Sequence, residues 1–128
     1  MIIYATQPNN IGSTFSVNST SFYLTDLQIE QILTRNNFKI ANNYEGLVAA
    51  SGTNFMRVMA DYPDITLYRT DNLHPTVAGS YLAACTIYYR MFNKSPYGNK
   101  FLPGSEYDTD KLISKLAMDD ALILQQIA

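Results

Sequence analysis

Hydrophobic positions fall into short, separated blocks whose periods differ along the chain. Residues 2–6, Ile-Ile-Tyr-Ala-Thr, form a continuous β-prone apolar run. It reads as a buried strand closed by Gln7-Pro8-Asn9-Asn10. Residues 11–22 are rich in Ser, Thr and Asn and read as a long surface loop. Thr25 or Asp26 then caps a helix running to about Asn43, with Leu27, Ile32, Leu33, Phe38, Ile40 and Ala41 as its apolar face. Residues 47–50 read as a short buried strand and Ser51-Gly52 as a turn. Thr53 caps a short helix through Phe55, Met56, Val58 and Met59, which Asp61-Tyr62-Pro63-Asp64 stops. Residues 65–68 are strand-like, and 70–75 form a loop. Pro75 or Thr76 opens a helix to about Phe92. Residues 93–108, with two Pro and two Gly, read as a loop. Thr109 or Asp110 caps a last helix carrying Leu112, Ile113, Leu116, Ala117, Leu122, Ile123, Leu124 and Ile127.

This alternation of strands and helices predicts an α/β layered fold with a parallel sheet. Two or three strands make a small sheet with open edges. The chain is therefore expected to be part of an α/β domain. No internal repeat or low-complexity tract interrupts it.

Composition narrows the chemistry. A chain of 128 residues with 47% hydrophobic and 16% charged positions can bury a core, and its length suits one domain. The formal net charge is −2 and no Lys/Arg run occurs, which speaks against a basic nucleic-acid face. No apolar run approaches the ~18 residues of a membrane span. The opening residues, Met1 to Asn10, lack a basic region and are not expected to act as a secretory leader; the compartment stays open. The single cysteine, Cys85, forms no disulfide within the chain and reads as a small core residue. The single histidine, His74, excludes a multi-His metal site within the chain. No metal and no cofactor is expected. Tyr81, Tyr88 and Tyr89 read as packing residues, and Asp119-Asp120 as solvated surface. Asn18-Ser19-Thr20 and Asn93-Lys94-Ser95 fit the glycosylation triplet.

All histidine chemistry must therefore pass through the segment Asp71-Asn72-Leu73-His74-Pro75. A carboxylate three residues before an imidazole can curl back and accept its Nδ1–H. That fixes the tautomer and leaves Nε2 free as a general base. The position between a strand-like piece and a helix suits this, because such loops lie at the ligand-binding edge of an α/β sheet. The same residues also suit a plain structural turn, with Asp71 bonding backbone N–H groups to cap the loop.

The longer string, Asp71-Asn72-Leu73-His74-Pro75-Thr76-Val77-Ala78-Gly79-Ser80-Tyr81-Leu82-Ala83-Ala84-Cys85, resembles the C-terminal catalytic block of SGNH (GDSL-type) hydrolases. That block carries Asp-x-x-His-Pro followed by a helix with a glycine and a small-residue-rich run. The resemblance continues in style through Lys94-Ser95-Pro96-Tyr97-Gly98 and the final helix. The resemblance implies a three-layer α/β/α flavodoxin-like fold of which this chain is the C-terminal half. It implies a serine hydrolase of the esterase or deacetylase class, acting on an ester or an acetylated carbohydrate, with His74 as general base and Asp71 as its orienting carboxylate.

The departures from the family pattern shape the expectation equally. No Gly-Asp-Ser block, no second glycine block and no Gly-x-Asn block is present. Ser13 and Ser16 echo the first block only superficially, and about sixty residues separate Ser13 from His74. The nucleophile and the oxyanion donors are thus expected outside this sequence, on a complementing chain or in a front half that was removed or never cloned. The alternative is a catalytically inactive SGNH-like module that serves assembly or interaction.

Overall fold

The computed structural model describes residues 1–100, 102–103 and 115–128. Among these, the fold is mixed α/β, with four helices, a two-stranded parallel sheet and a separate antiparallel hairpin. Strand β1 (Ile2–Ala5) pairs in parallel with β4 (Leu47–Ala50), Ile3 opposite Val48 and Ala5 opposite Ala50. The crossover between them holds the hairpin β2 (Ser13–Val17) and β3 (Thr20–Leu24), then α1 (Asp26–Asn43).

The hairpin corrects the expected loop at 11–22. Its strands alternate: Ser13, Phe15 and Val17 share one face with Thr20, Phe22 and Leu24. Asn18 and Ser19 form the two-residue connection, both with positive φ, which matches the twist of a primed turn. Helix α1 starts where expected. Thr25 Oγ1 accepts from Gln28 N while the Gln28 side chain accepts from Thr25 N, a capping box. Its expected apolar face is not buried. Only Ala41 and Glu30 of α1 are buried, and Leu27, Ile32, Phe38 and Ile40 remain exposed.

Helix α2 (Ser51–Asp61) begins at Ser51, so the expected Ser51-Gly52 turn is instead its first residues. Its N-cap is Ala50, which offers no side-chain oxygen. Buried Glu30 docks that first turn on α1, its Oε1 accepting from Thr53 and Thr34 hydroxyls at 2.7 Å each. The segment 65–68 is not a strand; one antiparallel bridge, Tyr68 to Pro75, is its whole ladder. Helix α3 (Val77–Phe92) is capped by Thr76, whose Oγ1 accepts from Gly79 N, and it ends at Asn93 in the left-handed conformation. The expected caps Thr109 and Asp110 lie outside the described residues. Helix α4 (Met118–Ile127) starts after Leu116 and Ala117, with Asp119 and Asp120 in its first turn, where the helix dipole favours acids.

The main core gathers Phe55 and Val58 of α2, Ile65, Leu67 and Tyr68, Leu82 and Cys85 of α3, and Leu124 of α4. Burial pushes the Cys85 thiol up to about 11, as an unreactive core cysteine requires. Gln125 is buried but fully employed. It accepts from Gly98 N and donates to the Tyr81 hydroxyl and to Asn99 O. A smaller core of Ala5, Ala41 and Val48 joins α1 to the parallel strands. The result is a packed α2–α3–α4 block carrying the loop that follows Tyr68.

Candidate functional site

The loop 69–74 is held at its base by the backbone. Arg69 N donates to His74 O at 2.8 Å, Asn72 N donates to Arg69 O at 2.9 Å, and Thr76 N donates to Leu67 O at 2.9 Å. Thr76 Oγ1 also donates to Thr66 O at 2.7 Å, so the residue that caps α3 pins both sides of the loop. Asn72 takes a positive φ of 57°, a conformation that asparagine tolerates better than most residues. From the other side, Asn10 N donates to Asn72 O at 2.8 Å and the Tyr68 hydroxyl donates to Pro8 O at 2.8 Å. Residues 8–10 continue β1, so the loop sits beyond the C-terminal end of the parallel strands. Ligand sites of open α/β sheets occupy that position.

Within this frame the structure brings Asp71 and His74 together. Asp71 Oδ1 accepts from Leu73 N and His74 N, both at 2.9 Å, closing an Asx-type turn. The other oxygen, Oδ2, lies 2.8 Å from His74 Nδ1. The backbone bonds from Leu73 and His74, then the imidazole contact, hold the Asp71 carboxyl well below the usual carboxylate range. An ionised carboxylate accepts only, so Nδ1 carries the proton, and in the neutral imidazole the lone pair sits on Nε2. No bond to Nε2 is made among the described residues, and the His74 side chain is 66% exposed. The turn geometry and the imidazole bond coexist because each uses a different carboxylate oxygen.

Both sequence-selected site residues thus share one loop. The serines do not join them: Ser13 Oγ accepts from Asn9 Nδ2 at 2.7 Å, and Ser16 bonds Ser21 across the hairpin at 2.7 Å. An apolar cleft of about 440 Å³ opens at the loop base between Arg69, Thr76 and the Val77, Tyr81 and Ala84 side of α3. Among the described residues, no group of three or more His, Cys, Asp or Glu gathers in a way that would hold a metal ion. No described helix is long and apolar enough to cross a membrane. Sequence reasoning missed the bracing role of Asn10 and Tyr68. Their partners are 62 and 60 residues away, and no local pattern marks such contacts.

No known family model matches the chain, and no curated protein or solved structure matches it.

Proposed function

We propose that this chain supplies the Asp–His half of a serine hydrolase acting on ester bonds, with O-acyl or O-acetyl groups, including those of acetylated carbohydrates, as the substrate class. The observation that carries the reading is the orientation of His74. Its Nδ1 is held on an ionised carboxylate and its Nε2 is left open beyond the C-terminal end of a parallel strand pair. An orienting carboxylate serves catalysis only when the opposite nitrogen is free to take a proton from a nucleophile. Asp71 would hold the tautomer and stabilise the imidazolium. The SGNH-like string at 71–85 supports the same assignment, and with it a three-layer α/β/α sandwich to which β1, β4 and their helices contribute the C-terminal part.

The nucleophilic serine and the oxyanion donors come, in this reading, from a complementing polypeptide. A second reading, an inactive module of the same kind kept for assembly, draws on Ser13 and Ser16, whose hydroxyls are engaged inside the hairpin. One experiment separates the two. Alone, the chain should show no measurable hydrolysis of p-nitrophenyl acetate, because oxyanion donors and nucleophile each contribute orders of magnitude in rate. It is then co-expressed with a polypeptide from the same source that carries a strand followed by Gly-Asp-Ser or Gly-Asn-Ser. The pair should hydrolyse the ester, and His74→Ala should lower the rate about 10²–10⁴-fold. A co-purified pair that is inactive, or whose activity ignores His74→Ala, would overturn the proposal in favour of the assembly role.

A further inference from the structure

The apolar cleft at the base of the loop carries one charge on its rim, and that charge has no partner. One wall of the cleft is a stripe of α3. Val77, Ser80, Tyr81 and Ala84 stand at positions i, i+3, i+4 and i+7 and so share one helix face. The facing wall is Pro103, whose carbonyl oxygen accepts from Leu116 N at 3.1 Å. The space between them is about 440 Å³, within the ~300–1,000 Å³ of small-molecule sites, and its surface is mostly apolar. Two of the hydroxyls beside it are already engaged. Thr76 Oγ1 donates to Thr66 O and accepts from Gly79 N. Tyr81 is 9% exposed and its hydroxyl accepts from the buried Gln125 Nε2 at 2.7 Å, so the ring carbons are what it offers the cleft.

Arg69 supplies the charge. Its Nε donates to Pro75 O at 3.2 Å, which anchors the guanidinium at the rim. Its terminal N–H groups make no hydrogen bond, and it forms no ion pair, among the described residues. An anchored guanidinium of this kind is a fork that fits one planar carboxylate. A phosphate dianion calls for more than a single cation, a cationic ligand is repelled, and an uncharged apolar ligand leaves the fork unused. The lining therefore fits a monoanion with an apolar body. From Val77 to Ala84 the stripe runs about 10 Å along the helix axis, a length that suits an extended alkyl group better than a compact ring. We propose that this cleft binds a medium-chain alkyl carboxylate, the chain lying along Val77, Tyr81, Ala84 and Pro103 and the carboxylate pairing with Arg69.

Arg69 N donates to His74 O, so the rim of the cleft and the Asp71–His74 loop are one stretch of backbone. Hydrolysis of an O-acyl ester by water gives an alcohol and an acid, and the acid ionises at neutral pH. In the hydrolase reading, on which this one link rests, the ligand is the acid released from the substrate, and the cleft favours acyl chains longer than acetyl. The binding itself needs no ester chemistry. The test is calorimetric titration of the full chain with sodium octanoate, with octan-1-ol and octylamine as comparisons. Octanoate should bind about tenfold or more tightly than either. Arg69→Gln should weaken octanoate binding about tenfold and leave octan-1-ol binding unchanged. Ala84→Phe, which fills the cleft from an exposed position of α3, should abolish binding of both. His74→Ala should change neither. Octanoate binding by a chain that hydrolyses no ester supports the cleft and counts against the hydrolase reading alone. No saturable binding at millimolar octanoate overturns the proposal. So does octylamine binding as tight as octanoate binding, or octanoate binding that survives both Arg69→Gln and Ala84→Phe. The comparison of the three ligands uses the unaltered chain, so it decides the matter even where a substitution disturbs folding.

Discussion

At the scale of single residues, Asp71 does three jobs with two oxygens, and its titration is the cleanest report on them. Its folded carboxyl lies below the unfolded value of about 3.9. The stabilisation it lends to the loop is therefore fully present above that pH and is lost only as the pH falls through the lower folded value. The side-chain carboxyl 13C shift of Asp71 should thus show its protonation step only in acid well below pH 4. A midpoint at the ordinary aspartate value would mean that the carboxylate is not held. Asp71→Asn gives the complementary result. One amide oxygen can still accept from the Leu73 and His74 N–H groups, but the amino group now faces Nδ1 and donates to it. The imidazole should switch to the tautomer with the proton on Nε2, visible in its ring 15N shifts, and the open nitrogen could no longer act as a base. Asp71 and His74 were legible in the sequence because their interaction is local, three residues apart. The roles of Glu30 and Gln125 in joining separate elements were not, because Thr53 and the partners of Gln125 stand 23 to 44 residues away.

At the scale of elements, the junction of α3 with the 65–68 segment controls where the loop starts. Gly79 occupies the first turn of α3, where a methyl group would overlap Leu67 O and come within 3.0 Å of Pro75 Cβ and 3.1 Å of Phe55 Cζ. Leu67 O also accepts from Thr76 N, so the backbone cannot retreat without releasing the cap. Gly79→Ala should therefore destabilise the chain by about 3 kcal/mol in denaturant unfolding, despite alanine's better helix propensity. A neutral or stabilising result would show that the contact is not tight. The same contrast of local and distant causes explains which elements the sequence disclosed. Thr25 with Gln28 and Thr76 with Gly79 are local caps, and both helices start where those residues predict. The start of α2 was misplaced because Ala50 provides no cap and Glu30 anchors the turn from another helix. The hairpin was missed because serine, threonine and asparagine outnumber the apolar residues. Yet Phe15 and Val17 on one side of Asn18-Ser19, and Phe22 and Leu24 on the other, carried the period-two signal.

At the scale of the whole molecule, the two-stranded parallel sheet is the weak point. Parallel strands normally lie between covering layers with neighbours on both sides. Here Val48 and Ala49 of β4 are buried, whereas Ile2 and Tyr4 of β1 are 39% and 44% exposed, and α1 leaves Leu27, Ile32, Phe38 and Ile40 in solvent. Beyond β4, β1 has no further strand partner among the described residues, so part of its backbone lies along an open edge. An edge with apolar residues beside it is a template for association. The protein at tens of micromolar should therefore sediment as species heavier than its 14.4 kDa monomer. Ile2→Lys and Tyr4→Lys place charges along that edge, a device by which natural sheets avoid pairing, and should shift the distribution towards the monomer without altering the helical circular dichroism of α2, α3 and α4. A monodisperse monomer with one steep unfolding transition would show that two strands and one covering helix suffice here. The exposed β1 edge would then be a tolerated surface, and the partner proposed to bear the serine would have to dock on the loop itself.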